Sequence, residues 1–189
     1  MSASTTTSTN TTPSPRWTLD PGHSAVGFSI RHLMITNVRG EFENFRADVR
    51  YDAAHPEATR IDAAIDVVSL NTREAKRDAD LRSALFFDVE AHPAMTFVSK
   101  GARAAGEGGV EVTGDLTLRG MTREVTLSVG DISAPQIDMR GNRRIGATAT
   151  AKIKRSEFGM TWNKALEAGG VVVGDVVTIT IEGSLLATE

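Results

Sequence analysis

Residues 114–129 read GDLTLRGMTREVTLSV. Leu116 and Leu118 alternate with Thr117 and Arg119, and the alternation resumes with Val125, Leu127 and Val129. Side chains two apart along an extended chain share a face, so each half reads as a strand with one apolar and one polar side. Arg119-Gly120-Met121 is a tight connection, and strands joined this closely are antiparallel neighbours. Nothing in the stretch is reactive. The purpose of such a chain has to lie in what its strands enclose.

The same period runs outward in both directions. Val26, Phe28, Ile30 and His32 share one face of HSAVGFSIRHL. Val38, Gly40 and Phe42 share a face, then Phe45, Ala47, Val49 and Tyr51; the phase slips by one between Phe42 and Phe45, which predicts a bulge or bend. Ile61, Ala63, Ile65 and Val67 form a third row, and Met95 and Phe97 resume strand character after Pro93. GARAAGEGG, residues 101–109, reads as a turn before Val110 and Val112. Ile145, Ala147, Ala149, Ala151 and Ile153 share a face, as do Val177, Ile179 and Ile181. TREAKRDADLRSALFF breaks the pattern and predicts one helix over residues 73–85, with Thr72 as its cap and Glu74 in the first turn.

About eight strands with one inserted helix make an all-β fold, and two architectures satisfy the pattern: a sandwich or a closed antiparallel barrel. Alanines and a glycine alternate with larger residues in the inward rows. Small side chains opposite large ones can leave a lumen, and eight strands enclose room for one small ligand.

The chain has 189 residues, 40% hydrophobic and 24% charged, which suits one domain. Residues 1–16, MSASTTTSTNTTPSPR, have no apolar run and read as a disordered tail, leaving 17–189 as the domain. No transmembrane segment is expected, since no stretch approaches the ~18 apolar residues that span a bilayer. The expected location is cytoplasmic. A net charge of −3 offers nucleic acid no overall attraction, so no nucleic-acid partner is expected. With no cysteine there is no disulfide, thiolate metal site or Cys nucleophile.

Enzyme signatures are weak. His23, His32, His55 and His92 lack the three- or four-residue spacing of a helical metal pair, and no metal site is expected. GHSAVG at 22–27 has Val26 where a nucleophile elbow needs glycine. Glu41 and Glu43 flank Phe42, so burying the ring turns both carboxylates to water. Arg77 and Asp78 read either as an exposed helix face or as a polar clasp at a barrel mouth, holding the helix or a ligand head group. No catalytic residue is assigned.

Several stretches, in order, resemble the YceI-like family of polyisoprenoid-binding proteins: Trp17-Thr-Leu-Asp20-Pro-Gly-His23, Arg31-His32-Leu33, Val38-Arg39-Gly40-x-Phe42, Arg77-Asp78-x-x-Leu81, Phe86-Phe87-Asp88, Thr96-Phe97, the opening Gly114–Thr122 stretch, Ser156-Glu157-Phe158-Gly159-Met160 and Val173-Gly174-Asp175. The resemblance covers about residues 17–186. It implies an eight-stranded antiparallel lipocalin-like barrel with the helix near one end, holding a long isoprenoid or similar amphipathic lipid. His92 stands before Pro93 where the family more usually has an aromatic residue.

The expected function is therefore binding, storage or transport of a polyisoprenoid, quinone-like or other amphipathic lipid, by a protein that is not an enzyme. The expected ligand contacts are Phe28, Ile30, His32, Phe42, Phe45, Arg77, Leu81, Phe86, Phe87, Phe97, Met160 and Trp162, with His32 and Arg77 as head-group partners. No cofactor is expected beyond a bound isoprenoid or fatty lipid, and a homodimer is left open. The competing readings are a barrel enzyme that cyclises or isomerises a polyene using His32, and a stress-response factor acting through protein partners.

Overall fold

The computed structural model describes residues 14–167 and 169–188. Its strands are β1 Arg16–Leu19, β2 Ala25–His32, β3 Thr36–Phe42, β4 Phe45–Arg50, β5 Arg60–Asp66, β6 Leu70–Asn71, β7 Ala94–Ala104, β8 Val110–Leu118, β9 Met121–Gly130, β10 Gln136–Ile137, β11 Arg143–Lys154 and β12 Val173–Thr188, with one helix, α1 Ala75–Arg82, between β6 and β7.

These segments make a closed eight-stranded antiparallel barrel because six of them are halves of bent strands. β1 and β2 lie end to end along β12, with Leu19 opposite Leu185 and Ala25 opposite Glu182. β4 pairs with β1 and β3 with β2, while β5 pairs with β4 and β6 with β3. β7, β8, β9, β11 and β12 complete the ring, and the β11–β12 ladder from Lys154↔Val176 to Arg144↔Leu186 closes it. β10 only extends the edge of β11.

The bends have local causes. Between β1 and β2, the Asp20 side chain accepts from Gly22 N at 3.1 Å and caps a turn begun by Pro21. Between β3 and β4, Glu43 N and Asn44 N both donate to Ser69 Oγ; this is the phase slip seen between Phe42 and Phe45. Between β5 and β6, Asp66 accepts from Val68 N. The β8–β9 hairpin turns on Arg119 and Gly120, both at positive φ (52° and 70°), a two-residue turn whose twist matches the strands. The His92 ring packs over it: a Cβ on Gly120 would stand 2.8 Å from His92 Cε1.

Three expectations need correction. α1 is shorter than 73–85, and its cap is Glu74, which accepts from Lys76 N and Arg77 N, not Thr72. Asn71 Oδ1 takes the Arg73 N–H and Arg73 sits at φ 64°, so the chain cannot be helical before Glu74. After Arg82 the peptide groups bond back in turns, such as Phe87 N to Leu81 O. The 101–109 turn is also shorter, because β7 reaches Ala104 past an irregularity between Ser99 and Gly101. Most of the expected tail, residues 1–13, lies outside the described residues; Arg16 already belongs to β1, and Pro15 O accepts from Tyr51 N.

The core has two parts. One, around Phe42, Leu70, Phe97, Val112 and Phe158, fills the middle and the helix end of the barrel. The other, Trp17, Leu19, Ala47, Ile145 and Leu185, lies at the opposite end. Among the described residues no helix is long and apolar enough to cross a membrane.

Candidate functional site

The lumen is not completely filled. A cavity of about 170 Å³ remains inside the barrel. The walls come from alternate residues of every barrel strand: Phe28 from β2, Phe42 from β3, Phe45 and Ala47 from β4, Ile61 and Ala63 from β5, Phe97 from β7, Leu116 from β8, Leu127 from β9, Ala147 from β11 and Ile181 from β12. Each faces inward because its neighbours in sequence face water.

The empty space follows the small side chains. Ala47 is paired with Ala63, and Ala147 with Gly183. All four line the lumen. A Cβ on Gly183 would come 3.3 Å from Leu19 Cδ1, a crowded approach, so glycine there also lets Leu19 settle. Gly40 does the same for Phe28, whose Cζ would lie only 2.5 Å from an added Cβ.

The helix end of the barrel is packed shut. Phe158 is fully buried, with Leu70, Val67, Leu118 and Met160 around it. Phe87 stands edge-on to Phe42 with ring centroids 6.0 Å apart. Polar ties hold this end. Thr72 is the meeting point of Arg77 and Asp78: Arg77 Nε donates to Thr72 Oγ1 and Arg77 Nη2 to Thr72 O, both at 2.8 Å, while buried Asp78 accepts from Thr72 N and Oγ1. Arg119 donates to Gly159 O and Ala84 O. Buried Arg155 donates to Gly174 O and Met160 O, and burial pushes its pKa below the ordinary value.

Of the expected contact residues, Phe28, Phe42, Phe45 and Phe97 line the lumen. Leu81, Phe87 and Met160 belong to the packed floor at the helix end. Ile30 and His32 continue β2 toward that end, opposite Val177 and Val173, outside the lining. Arg77 spends its guanidinium on Thr72, so the clasp holds the helix. Phe86 and Trp162 pack against each other with tilted rings, 5.6 Å between centroids, outside the lumen lining, with Trp162 substantially exposed. The lining residues absent from the expected set are mostly small or aliphatic, such as Ala47, Ala63, Ala147, Gly183 and Ile179, with Arg46, Tyr51, Thr59 and Thr148 as the members that carry polar groups. Most sit on apolar rows readable in the sequence, but nothing local distinguishes an alanine beside empty space from one in a packed core.

The YceI-like domain family model matches residues 17–185. The chain belongs to the YceI-like family. A UPF0312 protein of Staphylococcus aureus (strain USA300) is 35% identical over 173 residues, covering 92% of this chain and 98% of that protein. Among solved structures, this YceI-like barrel is similar to Burkholderia cenocepacia BcnA, with a TM-score of 0.77 and 26% identity over 90% of this chain and 99% of BcnA. The Campylobacter jejuni YCEI protein matches with a TM-score of 0.70 and 30% identity, over 85% and 91% of the two chains. A polyisoprenoid binding domain from Saccharophagus degradans shares the fold, with a TM-score of 0.65 at 18% identity over 91% of this chain and 98% of that one.

Proposed function

We propose that this barrel binds a polyisoprenoid or similarly amphipathic lipid in its lumen and serves as a carrier or store for it. The observation that carries the reading is a partly empty interior walled by aliphatic and aromatic side chains. Burying a methylene is worth about 0.8 kcal/mol, so a prenyl chain has ample gross driving force even after association and ordering costs are deducted. Phe28, Phe42, Phe45 and Phe97 would contact the chain, the alanine and glycine pairs would give it room, and Leu81, Phe87 and Met160 would stop its far end. The polyisoprenoid binding domain of Saccharophagus degradans shares this architecture.

The enzyme alternative draws less support. Among the described residues the lining has no carboxylate or imidazole side chain, and His32 stands outside it. Native mass spectrometry of freshly purified protein tests the proposal. The expected result is a population heavier by one prenyl lipid, extractable into organic solvent. Protein that carries no lipid, and after delipidation binds no prenyl compound, overturns it.

A further inference from the structure

We propose that the end of the barrel opposite α1 docks on an anionic lipid surface, with Ile137 and Met139 entering the interface and a row of arginines meeting the head groups. The choice of a lipid surface over other anionic partners rests on the lipid-binding reading above; the docking face itself is a feature of the barrel's exterior.

The apolar part is a built hairpin. Residues 138–142 join β10 to β11, and the Asp138 carboxylate organises that turn: it accepts from Arg140 N at 2.8 Å, Asn142 N at 2.9 Å and Arg144 Nε at 2.7 Å. The Asp138 side chain is thereby drawn back into the turn, and the residues on either side of it face water. Ile137 is 67% exposed and Met139 completely so. Among the described residues β10 pairs only with β11, so no further strand covers Ile137. A fixed turn that holds two large apolar side chains side by side in solvent forgoes their burial, and exposure of this kind marks an interaction site.

The basic part runs along the same rim. Arg16 of β1 stands opposite Arg50 of β4, which stands opposite Arg60 of β5. All three are exposed and point outward, since Trp17, Val49 and Ile61 beside them point in. Directly opposed residues put their Cβ atoms about 5 Å apart, and like charges there destabilise a sheet. β12 joins this row to the hairpin, with Arg16 opposite Thr188 and Arg144 opposite Leu186. Beyond it, Arg143 is paired with Ile137 and lies over the Trp17 ring, 5.5 Å from its centroid. Among the described residues Arg16, Arg50, Arg60, Arg140 and Arg143 make no ion pair with a carboxylate. The acids of this end are engaged or displaced. Asp20 and Asp138 bind Arg144, Glu111 binds Arg103, and Asp52 accepts from Ala54 N. Glu57 lies beside His55, Asp48 and Asp62 sit one step further from the rim, and Glu107 is on the β7–β8 turn across the barrel.

Apolar tip and arginine row together select the partner. An anionic bilayer offers negative head groups around an apolar layer, and it takes projecting side chains without a matching pocket. A nucleic acid would answer the arginines and leave Ile137 and Met139 uncovered. Because the chain's net charge is −3, attraction to an anionic surface has to come from a local patch such as this one. This is also the end that the cavity approaches. Tyr51 after Arg50, Thr59 before Arg60 and Ile145 after Arg144 all line it, whereas Phe87, Phe158 and Met160 fill the helix end. Docking in this orientation brings the lumen to the bilayer, as transfer of a lipid requires.

The test is co-flotation of the full-length chain with vesicles of phosphatidylcholine, alone or mixed with phosphatidylglycerol. The mixed vesicles should bind the protein more tightly, and added salt should weaken that binding. Arg50→Gln should lower the affinity for mixed vesicles about fivefold, and Arg16→Gln about as much again. Ile137→Ser combined with Met139→Ser should lower it about tenfold or more, while retention on heparin, which meets only the arginines, stays unchanged. All four positions are exposed, so the Tm should hold. Ile35→Ser, at an exposed apolar turn of the helix end, should leave vesicle binding as it is. Equal binding to both kinds of vesicle, or a loss with Ile35→Ser and none with the Ile137 and Met139 pair, overturns the docking face. Retention on heparin without vesicle binding assigns the arginines to another polyanion and overturns it too. Protein that carries prenyl lipid but ignores vesicles defeats the docking alone. Vesicle binding by protein that takes up no prenyl compound supports the docking and defeats only the carrier reading.

Discussion

Replacing Ala147 by leucine should fill the lumen from within. Ala147 lines the cavity and is paired across β11–β12 with Gly183, so two adjacent wall positions carry almost no side chain. Leucine adds roughly three buried carbons, worth up to ~2.4 kcal/mol at ~0.8 each, if the space accepts them without strain. Imperfect fit takes part of this back, since overpacking costs about 1–3 kcal/mol where no room exists. With about 170 Å³ available, the expected net is a stabilisation of about 1–2 kcal/mol. For a chain of this length that raises the Tm by roughly 2–8 °C, readable by calorimetry on delipidated protein. The same side chain occupies the room of one isoprenoid unit, whose about five carbons contribute ~4 kcal/mol gross. Retaining a third of that difference weakens prenyl binding about tenfold. The expected signature is opposite signs: a more stable protein that binds worse. A variant that is less stable and binds as well as the wild type would show that the chain does not occupy this space.

Other outcomes follow from single contacts. Asp20 is held at a pKa of about 2, against an ordinary 3.8, first by its hydrogen bond from Arg144 and then by His23, and Arg144 also holds Asp138 well below the carboxylate range. A carboxylate with a depressed folded pKa stabilises above its unfolded pKa and loses that contribution as pH falls through the folded one. The denaturation midpoint should therefore drop between about pH 4 and about pH 2, and Arg144→Gln should flatten that part of the profile. Asp78→Ala strands the buried Thr72 N–H and hydroxyl and should cost about 1–3 kcal/mol in urea unfolding, with Asp78→Asn, which keeps an acceptor, costing less. Gly40→Ala places a Cβ 2.5 Å from Phe28 Cζ and 2.8 Å from Thr72 Cγ2, so it should destabilise by about 1–3 kcal/mol and alter prenyl affinity as Phe28 shifts.

Much of the barrel is legible in the residues because period 2 reports which face of a strand is dry. Each of the eight barrel strands carries such a row, and the slip between Phe42 and Phe45 marks the bend at Glu43 and Asn44. Segments too short to show a period, such as β1, β6 and β10, leave no such mark. The helix is legible as a break in alternation, but Thr72 resembles a cap and so points to a start earlier than the true one at Glu74. Its actual partners, Arg77 and Asp78, become apparent only when the turn at Asn71 and Arg73 is seen.

By itself, then, the sequence determined the inward faces, the antiparallel neighbours and the absence of any cysteine chemistry, since these depend on residue type and on spacing within a segment. The tertiary structure decided closure, depth and vacancy. Whether β11 meets β12, how far along the axis an inward residue lies, and whether an alanine faces another side chain or a void all depend on the register among strands distant in sequence. For that reason Phe28 and Phe97 wall the hollow while Phe87 and Phe158 close it.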